Sequence, residues 1–460
     1  MACDCARALQ SLETQRWTVR ACAALLTLVL SAGTCAPAAA EDAQWTIVQA
    51  GRLIDVPGQP ARSATTILIH ADRIVALRDG IVDAAAFGES QGARSEIVNL
   101  RSYTVLPGLV DAHVHLSWNL QEPFWKEAVN SLEAQTLRAA RNAARTLQAG
   151  FTTVRDLGSR GASVLAVRDA IDRGELPGPR IITAGAPISI VGGHGDINGF
   201  RPEVADVLSA AEAAVCTGAD ECARQVRLNA KRGAQVIKVM VTGGILSQES
   251  RGLDQHFSAA ELRSIVDTAH AMGLTVAAHA HGPQGILAAV SAGVDSIEHG
   301  TFLDAAGVEA MQRSDVFLVP TLRAAHALHE GLAQGRFTSQ VADKARQVLR
   351  TADGQALRRA RLGRVQIAFG TDAAVFEHGR NAEEFNLLVT RGGLSATEAL
   401  VTATVNAATL CGMAESVGTL EVGKYADLIA VGGDPYEDVR VLEQVAAVMK
   451  GGKLVIARAD

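Results

Sequence analysis

The sequence predicts an α/β protein: a (β/α)₈ TIM barrel carrying a small β-sandwich domain built from both chain ends. Three observations lead there. Through the middle of the chain, short apolar segments alternate eight times with stretches of helical periodicity. Both ends instead hold short β-like runs bounded by turn residues. A length of 460 residues accommodates one barrel of roughly 250 residues and a smaller domain. The boundaries that follow are a leader over 1–40, β-domain parts over 41–106 and 416–460, and the barrel over 107–415.

The leader is read from its order of residue types. Arg16 and Arg20 precede an apolar run from Ala21 to Ala32, and Ala36-Pro37-Ala38-Ala39-Ala40 leads into Glu41-Asp42. A basic flank, a short apolar stretch and an A-x-A ending form a secretory signal cut after Ala40. The mature chain is therefore expected to be exported, periplasmic or secreted. The apolar run is too short to cross a hydrocarbon layer of ~30 Å. Cys3, Cys5, Cys22 and Cys35 would leave with the leader, while Cys216, Cys222 and Cys411 stay. In an oxidising compartment Cys216 and Cys222 either close a short loop or persist as two thiols. Cys411, in an apolar helix, reads as core.

In the N-terminal β region the expected strands are Thr46-Ile47-Val48, Thr66 to His70 and Arg73 to Leu77, the last two joined by a tight Ala71-Asp72 turn. Ala426 to Val431, Val445 to Met449 and Leu454-Val455-Ile456 continue the pattern around Gly451-Gly452. The barrel strands are expected at Leu109–His115, Thr152–Leu157, Arg180–Ala184, Val236–Val241, Thr275–His279, Ser296–His299, Phe317–Thr321 and Ile367–Thr371. Helical periodicity covers Ala128–Gln148, Ala205–Arg232, Ala259–Met272 and Gln340–Leu362, among others.

Composition narrows the functions. At 48% hydrophobic and 20% charged, the chain is an ordinary globular protein with a large core. A net charge of -6 leaves no basic footprint, which excludes nucleic acid as a partner. No repeat of solenoid or propeller type is present. The expected partner is a small-molecule substrate, with no membrane once the leader is removed, and the chain is expected to form a homo-oligomer.

Metal-capable side chains recur where barrel chemistry takes place, at the carboxyl ends of the strands. His113 and His115 end the first strand, Lys238 lies in the fourth, His279 ends the fifth, His299 ends the sixth, and Asp372 follows the eighth. Residues two apart on a strand share a face, so His113 and His115 can grip one ion together. Neutral imidazoles and a carboxylate suit Zn²⁺ with an open position for catalysis. A cation such as Lys238 in an apolar strand is costly to bury unless neutralised. A neutral amine adds CO₂ to give a carbamate, an anion able to bridge two cations. Charge agrees: two Zn²⁺ against a carbamate, Asp372 and a bridging hydroxide leave a small positive surplus, whereas Lys⁺ would repel both ions. Taken singly, each residue has a plainer reading: a structural histidine, a buried ion pair for Lys238, a helix cap for Asp372. All six in strand order point to a metal centre.

The run from Leu106 to His115, with Pro107-Gly108 and Asp111-Ala112-His113-Val114-His115, resembles the opening signature of the amidohydrolase superfamily. Ile297-Glu298-His299-Gly300, Gly370-Thr371-Asp372, Ala403-Thr404-Val405-Asn406-Ala407-Ala408 and the stretch Gly418 to Leu428 match further signatures. The likeness spans the chain after the leader and is greatest to the binuclear Xaa-Pro dipeptidase and carboxypeptidase branch, which includes ochratoxin-degrading enzymes. That resemblance implies His113, His115 and Asp372 on one zinc, His279 and His299 on the other, and carbamylated Lys238 between them. It also implies substrate contacts, including the substrate carboxylate, for His194 in Gly192-Gly193-His194-Gly195 and for His281. The position of His281 is often tyrosine in that branch, so this chain departs from it there. His256, His270, His326, His329 and His378 read as surface or loop residues, and His70 belongs to the β domain.

The expected function is hydrolysis of an amide in a small substrate with a free carboxylate, such as an Xaa-Pro dipeptide, an N-acyl amino acid or ochratoxin A. Asp372 is the expected catalytic proton carrier. The rivals are a lactonase or esterase on the same two metals, a cyclic-amide hydrolase or deaminase, and a non-catalytic scaffold protein. Lys238 counts against the single-metal rivals, and the complete ligand set counts against the scaffold.

Overall fold

The computed structural model describes residues 45–87, 95–248, 252–351 and 354–457, so the expected leader lies outside the described residues. The chain opens with four strands: β1 (Trp45–Leu53), β2 (Thr65–His70), β3 (Arg73–Asp79) and β4 (Ser95–Pro107). Through the middle run β5 (Leu109–Val114), β6 (Phe151–Asp156), β7 (Arg180–Thr183), β8 (Ile188–Ile190), β9 (Ala214–Cys216), β10 (Val236–Met240), β11 (Thr275–Ala280), β12 (Ser296–His299) and β13 (Phe317–Val319). The C-terminal strands are β14 (Leu428–Val431), β15 (Val445–Lys450) and β16 (Lys453–Ala457).

The two chain ends meet in one seven-stranded sheet of order β16-β15-β14-β4-β1-β2-β3. The long β4 joins them, parallel to β1 on one side and antiparallel to β14 on the other. Apolar residues fill both faces, with Val48, Ile67 and Leu428 in one cluster and Ile47, Leu68 and Phe87 in another. From β4 the chain passes through Gly108 into β5. A Cβ on Gly108 would lie 2.2 Å from Thr152 Oγ1, so only glycine lets the sheet turn this closely over β6.

The middle strands form two parallel sheets, β5-β6-β7 and β13-β12-β11-β10-β8-β9. Parallel strands covered on both faces should read as continuous apolar runs, and every residue of β5, β6 and β10 is buried. Backbone bonds connect the sheets. The expected eighth strand, Ile367–Thr371, is not a strand but a segment with isolated bridges at Ile367 and, just beyond it, Ala373. It still links the sheets, with Leu318 N of β13 donating to Gln366 O (2.8 Å) and Ala112 N of β5 to Phe369 O (2.9 Å). On the other side Gln235, just ahead of β10, donates to Thr183 O of β7 at 2.9 Å.

Two expected helices are interrupted. Instead of one helix over Ala205–Arg232, there are helices Pro202–Glu212 and Ala219–Lys231 with β9 between them. Val215 and Cys216 pair with β8, and Gly218 turns the chain with φ 81°. Cys216 and Cys222 are joined by a disulfide across this turn. Gln340–Leu362 is likewise split into Ser339–Thr351 and Gln355–Leu362, with Gly354 at φ 67° between. The first helix starts at Leu132 rather than Ala128, because the Ser131 side chain caps it by accepting from Ala134 N. Cys411 is only half-buried, past the end of its short helix.

Candidate active site

The parallel strands carry the expected residues to one end of the two sheets. In β5, alternate residues face inward, and both His113 and His115 are buried. The Nδ1–H of His113 donates to Glu298 Oε2 at 2.7 Å, which leaves its Nε2 lone pair facing the centre. That Nε2 lies 3.4 Å from Lys238 Nζ and 3.6 Å from Asp372 Oδ1. His115 repeats the arrangement, with Nδ1–H donating to Gly158 O at 3.1 Å and Nε2 standing 3.2 Å from Asp372 Oδ1. Its ring stacks on Trp118.

Parallel register places the next two histidines beside them. His279 pairs with Glu298 across β11 and β12, and Ala280 with His299. His299 Nδ1 lies 2.7 Å from Thr321 Oγ1, which turns its Nε2 inward. His279 is oriented the other way, with Nε2–H donating to Gly243 O at 3.3 Å, so Nδ1 is its free nitrogen. Among the described residues, ligand atoms of His113, His299 and Asp372 lie within 4.8 Å of one another. His194 and His281 complete the group: their rings lie 4.4 and 4.6 Å from that of His279. All eight expected residues thus come together around one cavity, counting Asp372 once for its two roles.

Burial sets the protonation. It pushes His113 down to about 4 and His281 to about 3, and drives His194, His279 and His299 well below the usual histidine range. Near neutral pH these rings are neutral, the form that binds metal. Burial also lowers Lys238 to about 8, within reach of the neutral amine. Burial would raise Asp372, but the polar groups around it, His115 first, outweigh burial and hold it below the usual carboxylate range, so it is ionised. Neutral imidazoles, one carboxylate and a buried amine around one space are a donor set that fits divalent ions.

Backbone conformation is spent here too. His299, Thr321 and Asp372 all have left-handed φ, at 70°, 48° and 57°. Such strain, ~1–3 kcal/mol per residue, gathers at functional sites.

Three supporting residues were not singled out from the sequence. Glu298 is fully buried, receives Arg155 Nη2 at 2.8 Å and Ser296 Oγ at 2.6 Å, and orients His113. Burial opposes its ionisation, but Arg155 and His113 hold it down at about 2. Asp111 accepts from Thr371 Oγ1 at 2.7 Å and Asn381 Nδ2 at 2.8 Å, which fastens the Asp372 turn to β5. The available signal was a charged residue within a strand of the barrel region, as with Lys238, although Arg155 and Glu298 have polar strand neighbours. His378 corrects an expectation: it is a buried residue rather than a surface one, with Nδ1 3.0 Å from Thr146 Oγ1 and Nε2 3.2 Å from His115 O. Its segment folds under the helix Leu132–Gln148, a tertiary contact that local sequence does not encode. His326 and His329 face a cavity of about 630 Å³ that also contains the site histidines.

Comparison with known proteins agrees with this geometry. An ochratoxinase from Aspergillus niger is 33% identical over 438 residues, covering 91% of this chain and 88% of that protein. A crystal structure of a Xaa-Pro dipeptidase with bound methionine in its active site is 37% identical with a TM-score of 0.81, covering 89% of this chain and 99% of the other. A prolidase complexed with N-methylphosphonate-L-proline is 30% identical with a TM-score of 0.80, covering 90% of this chain and all of the other (100%). Residues 104–455 match the Amidohydrolase family, and the chain belongs to that family.

Proposed function

We propose that the protein hydrolyses the amide bond of a small substrate that carries a free carboxylate, using two zinc ions held among its buried histidines. In this reading the two parallel sheets are arcs of one (β/α)₈ barrel, with the site at its carboxyl end. His113, His115 and Asp372 would hold one ion and His279 and His299 the other, with Lys238 contributing to the site as a carbamate. The observation that carries the reading is the gathering of His113, His299 and Asp372 within 4.8 Å, with Lys238 Nζ 3.4 Å from His113. Bound there, a pair of divalent ions polarises a carbonyl and acidifies water.

The chain's own residues supply the rest. Asp372, ionised and held through His115, takes a proton from the attacking water and delivers it to the leaving nitrogen. Thr301 Oγ1, 2.7 Å from His281 Nδ1, fixes that ring so that its Nε2 can meet the substrate. His281 and His194 act as neutral donors to the carboxylate, because burial disfavours their cations. A Xaa-Pro dipeptidase similar to this chain, with methionine bound in its active site, supports a carboxylate-bearing ligand here. Glu298 and Asp111 keep ligand and proton carrier in place.

The test is a panel of N-acyl amino acids, Xaa-Pro dipeptides, their carboxyl-amidated forms, simple esters and lactones, run on zinc-loaded protein. Cleavage of the free acids should release the C-terminal residue, and amidation should cost roughly 10–150-fold in kcat/KM, the worth of one charge-assisted hydrogen bond. His194→Ala and His281→Ala should lose a similar factor on the acid and little more on the amide. Elemental analysis should find about two zinc ions per chain, the count a two-metal site requires. Equal rates on acid and amide would remove the carboxylate from the reading, and faster cleavage of lactones would replace the amide.

A further inference from the structure

The candidate ligands sit on different strands, yet one short turn behind the cavity reaches both groups of them. Asn381 to Glu384 lead into the helix Glu383–Thr390, and Glu384 N closes the turn by donating to Asn381 O at 3.2 Å. Both side chains are fully buried, and neither lines the cavity that holds the site histidines. From Asn381 the turn reaches Asp372. Asn381 Nδ2 donates to Asp111 Oδ2 at 2.8 Å and lies 3.4 Å from Thr371 Oγ1. Asp111 also accepts from Thr371 N and from His113 N, each at 3.1 Å. Thr371, and with it Asp372, is thereby held against the strand that carries His113 and His115.

From Glu384 the same turn reaches His299. The two carboxylate oxygens accept from Leu322 N at 2.9 Å and Arg323 N at 2.5 Å, the first amides of the helix Leu322–Ala333. Glu383 adds a bond to this helix start, accepting from Arg323 Nε at 2.7 Å. Such amides are ordinarily met by the side chain of the residue just ahead of the helix. Here that residue is Thr321, whose side chain makes no such bond. Its Oγ1 lies instead 2.7 Å from His299 Nδ1. Glu384 caps the helix from a distant segment and leaves the Thr321 hydroxyl to the histidine. A fully buried acid is costly, so a strong demand keeps it there. Thr321 and Asp372 both have left-handed backbone, and such conformations persist only where their surroundings over-determine them. The turn binds the residue next to each, Leu322 in one case and Thr371 in the other.

We propose that Asn381 and Glu384 are positioning residues for the two halves of the metal centre, Asn381 acting on Asp372 through Asp111 and Thr371, and Glu384 acting on His299 through Thr321. The turn between them is the shared support that fixes one half relative to the other. The inference rests on the two-ion reading above and adds the element that holds its halves in register. Losing a partner behind a ligand costs about 10–100-fold in metal affinity, and a residue acting one step further back belongs at the lower end. The loss should fall on different ions for the two residues.

The experiment titrates zinc into metal-free protein against a chromophoric chelator and follows the visible absorption of the Co²⁺-substituted protein. The unmodified chain should take up about two ions. Glu384→Gln keeps the side chain's size but turns one acceptor into a donor facing a backbone amide. It should weaken one ion roughly tenfold, with a smaller effect on the other, and alter the Co²⁺ absorption of the weakened ion. Asn381→Ala should weaken the other ion instead. Thr321→Val removes the hydroxyl while keeping the shape, and should reproduce the Glu384→Gln loss, whereas Thr321→Ser should bind as the unmodified chain does. Glu384→Gln added to Thr321→Val should cost little more, because both act on His299 by one route. Should Glu384→Gln not fold, Glu384→Asp, which keeps the acid and draws it back by one methylene, is read in the same way. Unchanged affinity in the Glu384 and Asn381 variants, loss of the same ion in both, or equal loss of both ions in each would overturn the shared support. The last of these is what general loosening of the fold produces. A single ion in the unmodified protein would overturn the two-ion reading itself, and the shared support with it.

Discussion

His113 shows how the centre is held one side chain at a time. Its Nδ1 is fixed by Glu298, Glu298 is fixed by Arg155, and Arg155 Nε is anchored on Ala112 O at 2.7 Å, so the chain of bonds returns to β5. Glu298→Gln keeps the shape and removes the charge, leaving Arg155 buried beside a neutral amide. Zinc affinity should fall 10–100-fold, the usual cost of losing a partner behind a ligand, and stability should drop by roughly 3 kcal/mol from the unpaired Arg155. Zinc titration and chemical denaturation measure the two effects, and unchanged affinity would reduce Glu298 to a core ion pair. Lys238→Ala should abolish metal binding and activity, with short carboxylic acids restoring part of both by occupying the bridging position. Restoration by acids is the informative arm, because a merely structural lysine would not respond to them. These candidate ligands were legible because histidine, lysine and aspartate are conspicuous at strand ends. Glu298, Arg155 and Asp111 were harder to assign, since a buried charge in a strand does not reveal its partner until distant strands are brought together.

At the level of elements, seven of the eight expected barrel strands agree with the observed ones to within one or two residues, whereas Ile367–Thr371 makes only an isolated bridge and β8 and β9 were not expected. Helices were less faithful. The periodicity across Ala205–Arg232 is real in both halves, but pairing of Val215 with Ser189 pulls the middle into a strand. That strand supports β8, which leads into the loop carrying His194. Packing between loops then places the ring: a Cβ on Gly244 would lie 2.1 Å from His194 Cε1, and only glycine leaves that space. Gly244→Ala should therefore displace His194 while the metal ligands stay in place. The expected outcome is at least a tenfold loss in kcat/KM on the free-acid substrate, from one lost charge-assisted bond, with zinc content unchanged. A variant of full activity would show that His194 has no part in binding. Loss of zinc together with activity would instead place Gly244 among the supports of His279, whose Nε2 bonds to Gly243 O.

Across the whole molecule, burying so many titratable groups under one sheet end makes stability depend on pH in a way the net charge of -6 does not suggest. With metal removed, burial holds His113 and His378 at about 4 and His281 at about 3, and it also drives His194, His279 and His299 down. The unfolded chain titrates the same residues near 6.5. Between about pH 6.5 and 4 the unfolded state thus binds more protons than the folded one, so stability rises with pH there and is lost on acidification. Buried carboxyls act against this. Burial raises Asp111 and Asp156 to about 6 and Glu384 to about 8, so these bind protons more tightly when folded and lose stability as pH rises. The six histidines outnumber the three acids, and the histidine effect wins. The metal-free protein should lose thermal stability steadily from pH 6.5 to 5, by ~1.4 kcal/mol per pH unit for each net proton taken up on unfolding. Thermal melts of chelator-treated protein across that range measure the slope. His378→Asn, which removes one buried imidazole outside the ligand set, should make the slope shallower by about one proton without affecting zinc stoichiometry. With zinc bound the fall should be steeper and tied to metal release, since protons and metal compete for the same nitrogens. A Tm that is flat, or that rises on acidification, would mean that these histidines are hydrated in solution, and the dry, neutral site inferred for catalysis would fail with it.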